Sequence, residues 1–318
     1  MFSLVIPLYK SESNLARLLH EVGEFSRQIA TPLEVVFVVD GSPDRCAEIL
    51  QERLPAWSVR SQLVELSRNF GSFAAIAAGL RVAKGEHFAI LAADLQEPLS
   101  LIAEFHDILS AGRADVVFGY RTGRADPWWS QFLSNCFWVL YRRFVLPEMP
   151  AGGIDVFACN RRVRDELAQL PESTTNLVAL LFWLGFRRAF VPYVRQPRLE
   201  GKSAWTFSRK LSYALDSIFN FTDLPVRALL LLGIVGITAA ATASVFVFVM
   251  RLIGLIPVLG YTPLMLAVMF FGGTTALGLG IVGQYLWLTL ANSRRRPPFV
   301  VSRILAFEPP EPAASRTS

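Results

Sequence analysis

The chain has 318 residues, of which 53% are hydrophobic, and carries a formal net charge of +5. This length accommodates one large domain or two ordinary ones, and so modest a positive charge does not indicate a nucleic-acid-binding protein. Its three cysteines and three histidines have neither the spacing of a zinc site nor that of a disulfide framework, which suits a reducing compartment. The mean hydropathy of +0.40 is high for a soluble enzyme and predicts apolar segments beyond an ordinary core.

Apolar runs typical of buried strands alternate with helix-period segments from the amino terminus onward. Predicted strands cover 3–8, 33–39, 63–66, 87–93 and 115–119, and predicted helices cover 12–29, 72–83 and 99–110. Ser11 or Ser13 is expected to cap the first helix, while Ser42 and Pro43 are expected to begin a helix after the second strand. The alternation predicts an α/β domain with a mostly parallel, Rossmann-like sheet and helices on both faces.

The fourth predicted strand ends in a polar stretch that runs from Asp94 to Pro98. A carboxylate just beyond the carboxyl end of a buried strand lies where open α/β sheets bind their ligands. If the stretch stays extended, positions 92, 94 and 96 share one side, so Asp94 and Gln96 offer oxygen ligands to a hard cation while Ala92 offers none. Capping the turn before Pro98 is the alternative role for Asp94.

Two runs, 228–250 and 264–290, contain no charged residue. Each is long enough for a helix that crosses a bilayer, which takes about 20 residues. A buried helical hairpin is the alternative. Arg294, Arg295 and Arg296 follow the second run, and the positive-inside rule then assigns both ends of the hairpin to the cytoplasm. The amino terminus lacks the features of a signal peptide, so we expect a multi-pass protein of the inner or plasma membrane with a cytoplasmic catalytic domain.

Aromatic and basic residues crowd two further segments, 128–144 and 205–221. This make-up is typical of helices at a membrane interface, although ordinary packing against the sheet is the alternative. The expected domain boundaries are a cytoplasmic domain at 1–204, an amphipathic juxtamembrane helix at 205–226, a two-helix transmembrane hairpin at 227–293, and a basic, then disordered, cytoplasmic tail at 294–318.

Six short motifs occur in a fixed order before the two apolar runs. They are Val39-Asp40-Gly41-Ser42-Pro43-Asp44, Leu66-Ser67-Arg68-Asn69-Phe70-Gly71, Asp94-Leu95-Gln96-Glu97-Pro98, Gly119-Tyr120-Arg121, Gly152-Gly153-Ile154-Asp155 and Arg198-Leu199-Glu200-Gly201-Lys202-Ser203. Together they resemble glycosyltransferase family 2, in particular the polyprenyl-phosphate glycosyltransferases, a group that includes dolichol-phosphate mannose synthase. The resemblance covers residues 1–293 and implies a GT-A fold.

The resemblance also implies an activity. A single sugar would pass from a nucleotide sugar, by resemblance a UDP sugar, to a polyprenyl phosphate such as undecaprenyl phosphate at the cytoplasmic face of the membrane. The reaction would invert the anomeric centre and use Mg²⁺ or Mn²⁺, with the lipid bilayer as a further partner. A processive polysaccharide synthase would be expected to carry a Gln-x-x-Arg-Trp motif, which this sequence lacks.

Carried over onto this chain, the family pattern gives each motif residue a role. Around the donor, the roles are nucleotide contact for Pro7, Tyr9 and Asp40, cation binding for Asp94 and Gln96, and a place near the sugar for Glu97. Around the acceptor, the residues expected to bind phosphate are Arg121, Arg198, Lys202 and Ser203. The residues expected to be catalytic are Asp94, Arg121, Asp155 and Arg198.

Several of these residues have alternative roles that the sequence leaves open. Asp155 is interpreted as an orienting group, since a phosphate monoester is mostly a dianion at neutral pH and needs no obligatory base; a base role and a turn carboxylate remain alternatives. Asp40 could cap a strand end. Arg121 and Arg198 could be solvated surface arginines.

Three positions depart from the family pattern, namely Val39, Ala92 and Ala204. Acids usually occupy the first two positions and a basic residue the third, so each change removes a polar contact. The alternative hypothesis is therefore a non-catalytic membrane scaffold that binds nucleotide or polyprenyl phosphate. Glycines at 272, 273, 278 and 280 would permit close helix packing, which leaves a homo-oligomer possible.

Overall fold

Runs of apolar and β-branched residues form the centre of one eight-stranded sheet. In the computed structural model, which describes residues 1–122, 143, 148–150, 154–170, 177–196, 224–253, 261–294 and 296–310, the chain divides into two units. The first comprises Met1–Phe207 with Pro297–Ser318, and the second comprises Ser208–Arg296. The sheet belongs to the first unit.

The strands run in the order β7-β5-β6-β4-β1-β2-β3-β8. Their bounds are β1 Phe2–Leu8, β2 Leu33–Val39, β3 Arg60–Leu66, β4 His87–Ile90, β5 Val116–Arg121, β6 Ile154–Asn160, β7 Arg188–Tyr193 and β8 Val301–Phe307. The pairs β1–β2, β1–β4, β2–β3 and β5–β7 are parallel, whereas β6 is antiparallel to β4 and β5, and β8 is antiparallel to β3. The sheet is therefore mixed, with the predicted parallel strands at its centre.

Some of the helices cover the sheet, and the last two belong to the second unit. Their bounds are α1 Leu15–Gln28, α2 Cys46–Arg53, α3 Ser72–Val82, α4 Leu99–Ser110, α5 Arg161–Gln169, α6 Leu177–Trp183, α7 Leu224–Leu252 and α8 Tyr261–Ser293. The first four follow β1 to β4 in sequence, as the alternation predicted. Each predicted strand up to β5 and the helices at 12–29, 72–83 and 99–110 are confirmed to within a few residues.

Two predicted helix starts are wrong. The second helix begins at Cys46 rather than beside Ser42, because the Ser42 hydroxyl binds Asp44 and the backbone of Lys10 instead of capping a helix. Neither predicted serine caps α1, which follows a short 3₁₀ turn and whose N-cap residue, Asn14, makes no side-chain cap bond.

Tight packing between α3 and β1 fixes the helix on the sheet. A Cβ atom added at Gly79 of α3 would lie 2.3 Å from Val5 Cγ1 and 2.9 Å from Val38 Cγ2. Every side chain of β2 is buried, as expected of a parallel strand covered on both faces. The amino end of α3 is thereby held at the carboxyl edge of β1 and β2, where the candidate site lies.

The carboxyl-terminal segment returns to the sheet. Residues Val301–Phe307 form β8 along the outer edge of β3, with Leu305 and Phe307 packed against the core. Arg303 pairs with Glu65 at 2.6 Å. The prediction of a basic, then disordered tail over 294–318 did not anticipate this strand; residues 311–318 lie outside the described part of the chain.

The second unit consists, where it is described, of helices α7 and α8. A Cβ atom added at Gly278 of α8 would lie 3.3 Å from Leu229 Cδ1 of α7, so the two helices approach closely there. Within the described residues, no helix combines the length and apolar content needed to cross a membrane. The predicted pair of spans is therefore not confirmed.

Candidate active site

The carboxyl ends of the parallel strands collect most of the residues singled out by the motifs. Tyr9 follows β1, Asp40 follows β2, Asp94 and Glu97 follow β4, and Arg121 ends β5. Because β6 runs in the opposite direction, it starts at this same edge, where its second residue is Asp155. This is the edge at which open α/β sheets bind their ligands, so the sheet brings these side chains into one region.

A hydrogen-bonded network joins the loops that follow β1 and β2. The Ser42 hydroxyl accepts a bond from the Lys10 backbone N–H at 2.7 Å and donates to Asp44 Oδ1 at 2.6 Å. The other Asp44 oxygen accepts from the Glu12 backbone N–H at 3.0 Å. Burial is the largest single influence and raises the pKa of Asp44, but the hydrogen bonds together outweigh it. The pKa of Asp44 is therefore lowered, and the carboxylate remains ionised. The network holds the two loops together on the side where the sequence predicts the nucleotide.

Pro7 and Tyr9 lie at the end of β1 beside this network. Pro7 is partly exposed, and the Tyr9 ring is 42% exposed with the Lys10 ammonium 5.5 Å from its centroid. An accessible aromatic face with a cation beside it can stack on a base. The positions of Pro7 and Tyr9 agree with contact to a nucleotide, which stays a prediction.

Asp40 is buried and has both carboxylate oxygens engaged. Its Oδ1 accepts from the Phe70 backbone N–H at 2.7 Å, and its Oδ2 accepts from the Gly71 backbone N–H at 2.8 Å. Gly71 is the N-cap residue of α3, where a negative charge is favourable. Asp40 therefore orders the loop after β3, and a nucleoside would have to use the remaining lone pairs of its oxygens.

Gly41 permits the close approach of this loop. Its φ is +55°, and a Cβ atom there would lie 2.2 Å from the carbonyl carbon of Arg68 and 2.4 Å from the amide nitrogen of Asn69. A side chain cannot fit against backbone atoms at that distance. The presence of glycine at this motif position is thus explained sterically, because it lets the loop that contains Asp40 pack backbone to backbone against the loop after β3.

Asp94 lies in a turn and not in an extended strand. β4 ends at Ile90, the Leu95 backbone N–H bonds to the Ala92 carbonyl at 3.2 Å, and Leu95 has a φ of +51°. The expectation that positions 92, 94 and 96 share one side of a strand is therefore wrong. The turn nevertheless leaves the Asp94 side chain partly exposed at the edge of the sheet.

Gln96 is held against the segment that follows β7. Its side-chain Nε2 donates to the backbone carbonyl of Gln196 at 3.1 Å, and its backbone carbonyl accepts from the backbone N–H of Gln196 at 2.9 Å. The side chain is buried. As a metal ligand Gln96 could offer only Oε1, so its evident structural task is to dock the segment after β7 beside Asp94 and Glu97.

Glu97 is a buried carboxylate, only 3% exposed, whose Oε2 has no hydrogen-bond partner among the described residues. The Nε atom of Arg195 is likewise buried without one. Burial, together with the negative charges of Asp155 and Asp94, raises the pKa of Glu97 to about 7, and Arg195 opposes this rise. Three acids thus lie close enough for their charges to interact, and Glu97 has hydrogen-bonding capacity left for a substrate.

Arg121 and Asp155 form an ion pair across β5 and β6. The guanidinium donates through Nε to Asp155 Oδ2 and through Nη2 to Oδ1, the two-pronged geometry that arginine makes with carboxylates. The Tyr193 hydroxyl also donates to Oδ2, at 2.8 Å. Arg121 is therefore not a solvated surface arginine in this structure, and Asp155 is not merely a turn carboxylate.

Three predicted site residues, Arg198, Lys202 and Ser203, lie outside the described residues. So do Arg295 and most of the two aromatic segments expected at a membrane interface. The roles given to them stay predictions. Arg195 and Gln196 are the last described residues before residues 197–223, which contain these three positions.

The described residues contain no group of three histidine, cysteine, aspartate or glutamate side chains that could hold a metal by themselves. Mg²⁺, however, is usually bound through one or two carboxylates together with substrate phosphates and water. The partly exposed Asp94, at the same edge of the sheet as the loops after β1 and β2, suits that arrangement. The residues therefore fit a cation that arrives with a diphosphate, and not a closed, all-protein metal site.

Sequence reasoning missed Tyr193 and Arg195. Tyr193 is the last residue of β7, and Arg195 lies two residues beyond it. The strand was not predicted because its sequence, Arg188-Ala189-Phe190-Val191-Pro192-Tyr193, is short and contains a proline. The available signal was the Arg198 motif, since an arginine and a tyrosine stand three and five residues before it. Recognising β7 as a partner of β5 would have located both.

A family model describing glycosyl transferase family 2 matches residues 3–168 of the chain. The chain belongs to glycosyl transferase family 2. As a member of that family it is a glycosyltransferase enzyme that takes a glycosyl group from a nucleotide sugar, and its mixed α/β sheet is of the GT-A type.

Two sequence relatives of this family 2 glycosyltransferase match over nearly their whole length. An uncharacterized glycosyltransferase of Synechocystis is 33% identical over 310 residues, which cover 96% of each chain. A prophage bactoprenol glucosyl transferase homolog of Escherichia coli is 28% identical over 306 residues, 95% of this chain and 98% of the relative. Glucosyl-3-phosphoglycerate synthase of Mycobacterium tuberculosis, solved with Mn²⁺ and UDP, shares 17% identity and a TM-score of 0.48 over 69% of this chain and 77% of that one.

Proposed function

We propose that this glycosyltransferase transfers one sugar from a UDP sugar to a polyprenyl phosphate at the cytoplasmic face of a membrane, with a divalent cation and with inversion. The observation that carries the proposal is the cluster of Asp94, Glu97, Asp155 and Arg121 beside the joined loops after β1 and β2. The polyprenyl acceptor is supported by relatives named bactoprenol glucosyl transferases that match along 94% or more of this chain.

Departure of the nucleoside diphosphate places negative charge on its phosphate oxygens. Asp94 would hold a Mg²⁺ or Mn²⁺ ion against those oxygens, and such an ion supplies electrostatic stabilisation of the leaving group. The loops that Asp40, Gly41 and Ser42 fix in place would receive the nucleoside. Their hydrogen bonds are formed before substrate arrives, so the site needs little reorganisation on binding.

The acceptor in this proposal is a phosphate monoester, which is mostly a dianion at neutral pH. It therefore needs positioning more than it needs a general base. A guanidinium matches phosphate in a two-pronged way, so Arg121 is a suitable partner, with Arg198, Lys202 and Ser203 as further candidates. Asp155 would orient and electrostatically balance Arg121 next to the reacting centre.

Glu97 would accept a hydrogen bond from a hydroxyl of the donor sugar. Its Oε2 is buried without a partner among the described residues, and a sugar hydroxyl is a donor of suitable size. Arg195 beside it would help to keep the carboxylate ionised. This contact would select among sugars by the position of the hydroxyl.

Membrane attachment is proposed from the uncharged runs 228–250 and 264–290 and from the exposed side chains of the helices that contain them. Leu230, Phe246, Leu286 and Trp287 are each 59% to 65% exposed. Surfaces of this kind require an apolar covering, and a bilayer would supply it while keeping a polyprenyl acceptor close to the enzyme.

One experiment tests the proposed reaction. Membranes that contain the full chain are incubated with polyprenyl phosphate and a panel of radiolabelled nucleotide sugars, and the lipid fraction is extracted. A labelled glycolipid from one donor supports the proposal, and no labelled lipid from any donor would overturn the polyprenyl phosphate acceptor. The non-catalytic scaffold considered from the sequence is not supported, because the family match identifies the chain as a glycosyltransferase.

A further inference from the structure

Asp155 has a hydrogen-bond donor besides Arg121, namely the hydroxyl of Tyr193. We propose that Tyr193 is a positioning residue, which keeps the Asp155 carboxylate directed at the reacting centre while Arg121 engages a phosphate. The proposal rests on the glycosyl transfer set out above, and it assigns a function to a side chain that the motifs do not include.

The geometry of Arg121 creates the need for a second donor. Its Nε and Nη2 atoms are the pair that binds Asp155. A phosphate bound in the two-pronged manner takes either that edge, where it displaces Asp155, or the edge formed by Nη1 and Nη2, where it shares Nη2 with Asp155. In either case the phosphate weakens the hold of Arg121 on Asp155, and the hydrogen bond from Tyr193 is kept.

Tyr193 is held rigidly enough to perform this task. It is the last residue of β7, paired in parallel register with Arg121, and its side chain is 5% exposed within the core. Its carbonyl accepts from the backbone N–H of Thr122 at 2.9 Å and from the Thr122 hydroxyl at 3.2 Å. Packing and backbone bonds thus fix the hydroxyl before any substrate binds.

The phenol also remains a donor throughout the working pH range. Burial, followed by the negative charges of Asp155 and Glu97, raises the pKa of Tyr193 above its usual value, and the nearby Arg121 charge opposes this rise without reversing it, so the proton stays on the oxygen. The bond to Asp155 therefore runs in one direction only, from tyrosine to carboxylate, whatever the state of Arg121.

A double-mutant cycle on the full chain tests the proposal through glycolipid formation. Tyr193→Phe, which keeps the ring and removes the hydroxyl, is made in the wild-type and in the Asp155→Asn backgrounds. In the wild-type background we expect kcat to fall about tenfold with both KM values nearly unchanged. In the Asp155→Asn background, the further fall should be less than about twofold, because the tyrosine acts through Asp155.

Two further variants make the cycle decisive. Thr31→Val removes a hydroxyl that bonds to His106 at 2.9 Å, near the amino end of β2, and should leave kcat unchanged. Tyr193→Met, whose flexible side chain adapts to the same space, replaces Tyr193→Phe if that variant does not melt cooperatively, and should show the same pattern.

Equal losses in both backgrounds would overturn the proposal, since Tyr193 would then act independently of Asp155. An unchanged kcat for folded Tyr193→Phe would overturn it as well. Failure of the glycosyl transfer itself looks different: the wild-type protein would then form no glycolipid with any donor.

Discussion

At the scale of single residues, the burial of the Glu97 carboxylate is a cost to stability that the proposed contact with the donor sugar would explain. Its carboxylate is buried, one oxygen lacks a hydrogen bond among the described residues, and two neighbouring acids repel its charge. A buried, incompletely satisfied carboxylate lowers the free energy of unfolding. Proteins retain such groups where a ligand completes their hydrogen bonding.

Glu97→Gln should therefore raise the free energy of unfolding and lower the rate of glycosyl transfer. At pH 8, without added metal or nucleotide, we expect the free energy of unfolding to rise by about 1 kcal/mol, because an amide replaces a desolvated charge. Turnover should fall, since the amide accepts a weaker hydrogen bond from the donor sugar. Thermal melting and glycolipid formation measure the two effects; Glu104→Gln, on α4, is the matched control. A destabilised but fully active variant would contradict the assignment.

The motif residues with a charge or a glycine could be selected from the sequence, whereas their partners could not. Asp40, Asp94, Glu97 and Arg121 lie at one edge of the sheet, as the predicted strand ends indicated, whereas Asp155 lies at the start of β6, a strand that was not predicted. The pairing of Arg121 with Asp155 depends on β6 running antiparallel to β5, which no local pattern specifies. Tertiary contact of this kind is not encoded in the spacing of residues along one strand.

At the scale of elements, the amino edge of the sheet contains two neighbouring imidazoles, of which His106 is buried and His87 is partly buried. The His106 ring of α4 stacks on Phe2 with centroids 4.7 Å apart and lies 5.4 Å from the ring of His87. Burial is the main reason that the pKa of each ring is lowered. The His106 charge lowers the pKa of His87 further and the amino-terminal charge lowers both, while Glu86 opposes the shift at His87 and Asp107 opposes it at His106. The folded protein thus prefers both rings neutral.

Acid should consequently destabilise the fold through this pair. The unfolded chain takes up protons near pH 6.5 and the folded protein only at lower pH, so stability is fully present above about pH 6.5 and is lost as the pH falls below that value. We expect the melting temperature to drop between pH 7 and pH 5, and to drop less in His106→Gln. An equal drop in the wild type and the variant would show that other groups cause the acid sensitivity; His20→Gln, on α1, is the control.

The elements that the sequence predicted well are the buried parallel strands, because a continuous apolar run bounded by polar turns has few alternatives. Those it did not predict include the helices α5 and α6 and the strands β6, β7 and β8. The three strands are partly exposed, and their burial comes from neighbours distant in the chain. The second helix begins later than predicted because Ser42 and Asp44 hydrogen-bond within the loops after β1 and β2 and are not available to cap a helix.

At the scale of the whole molecule, the chain returns to its first unit after the helices of the second. Strand β8, seven residues long, covers the edge of β3 by antiparallel pairing and by the ion pair of Arg303 with Glu65. An uncovered β3 would present unpaired backbone groups and an aggregation-prone edge. The second unit is thus followed as well as preceded by residues of the first.

Deletion of residues 297–318 should destabilise the first unit. Loss of β8 removes Leu305 and Phe307 from the core and exposes the β3 edge, so we expect a melting temperature lower by several degrees and a greater tendency to aggregate. Deletion of residues 311–318 alone serves as the control and should leave melting unchanged. If both deletions melt like the full chain, β8 contributes nothing to stability.

The central claim is that Asp94 joins a divalent cation to the nucleotide diphosphate, and nucleotide binding tests it most directly. Calorimetry of the full chain with UDP, with and without Mn²⁺, is compared among the wild type, Asp94→Ala and the α4 surface control Asp107→Ala. We predict Mn²⁺-dependent UDP binding by the wild type and by Asp107→Ala, and at least about tenfold weaker binding by Asp94→Ala. Equal, Mn²⁺-dependent binding by Asp94→Ala and the wild type would contradict the account.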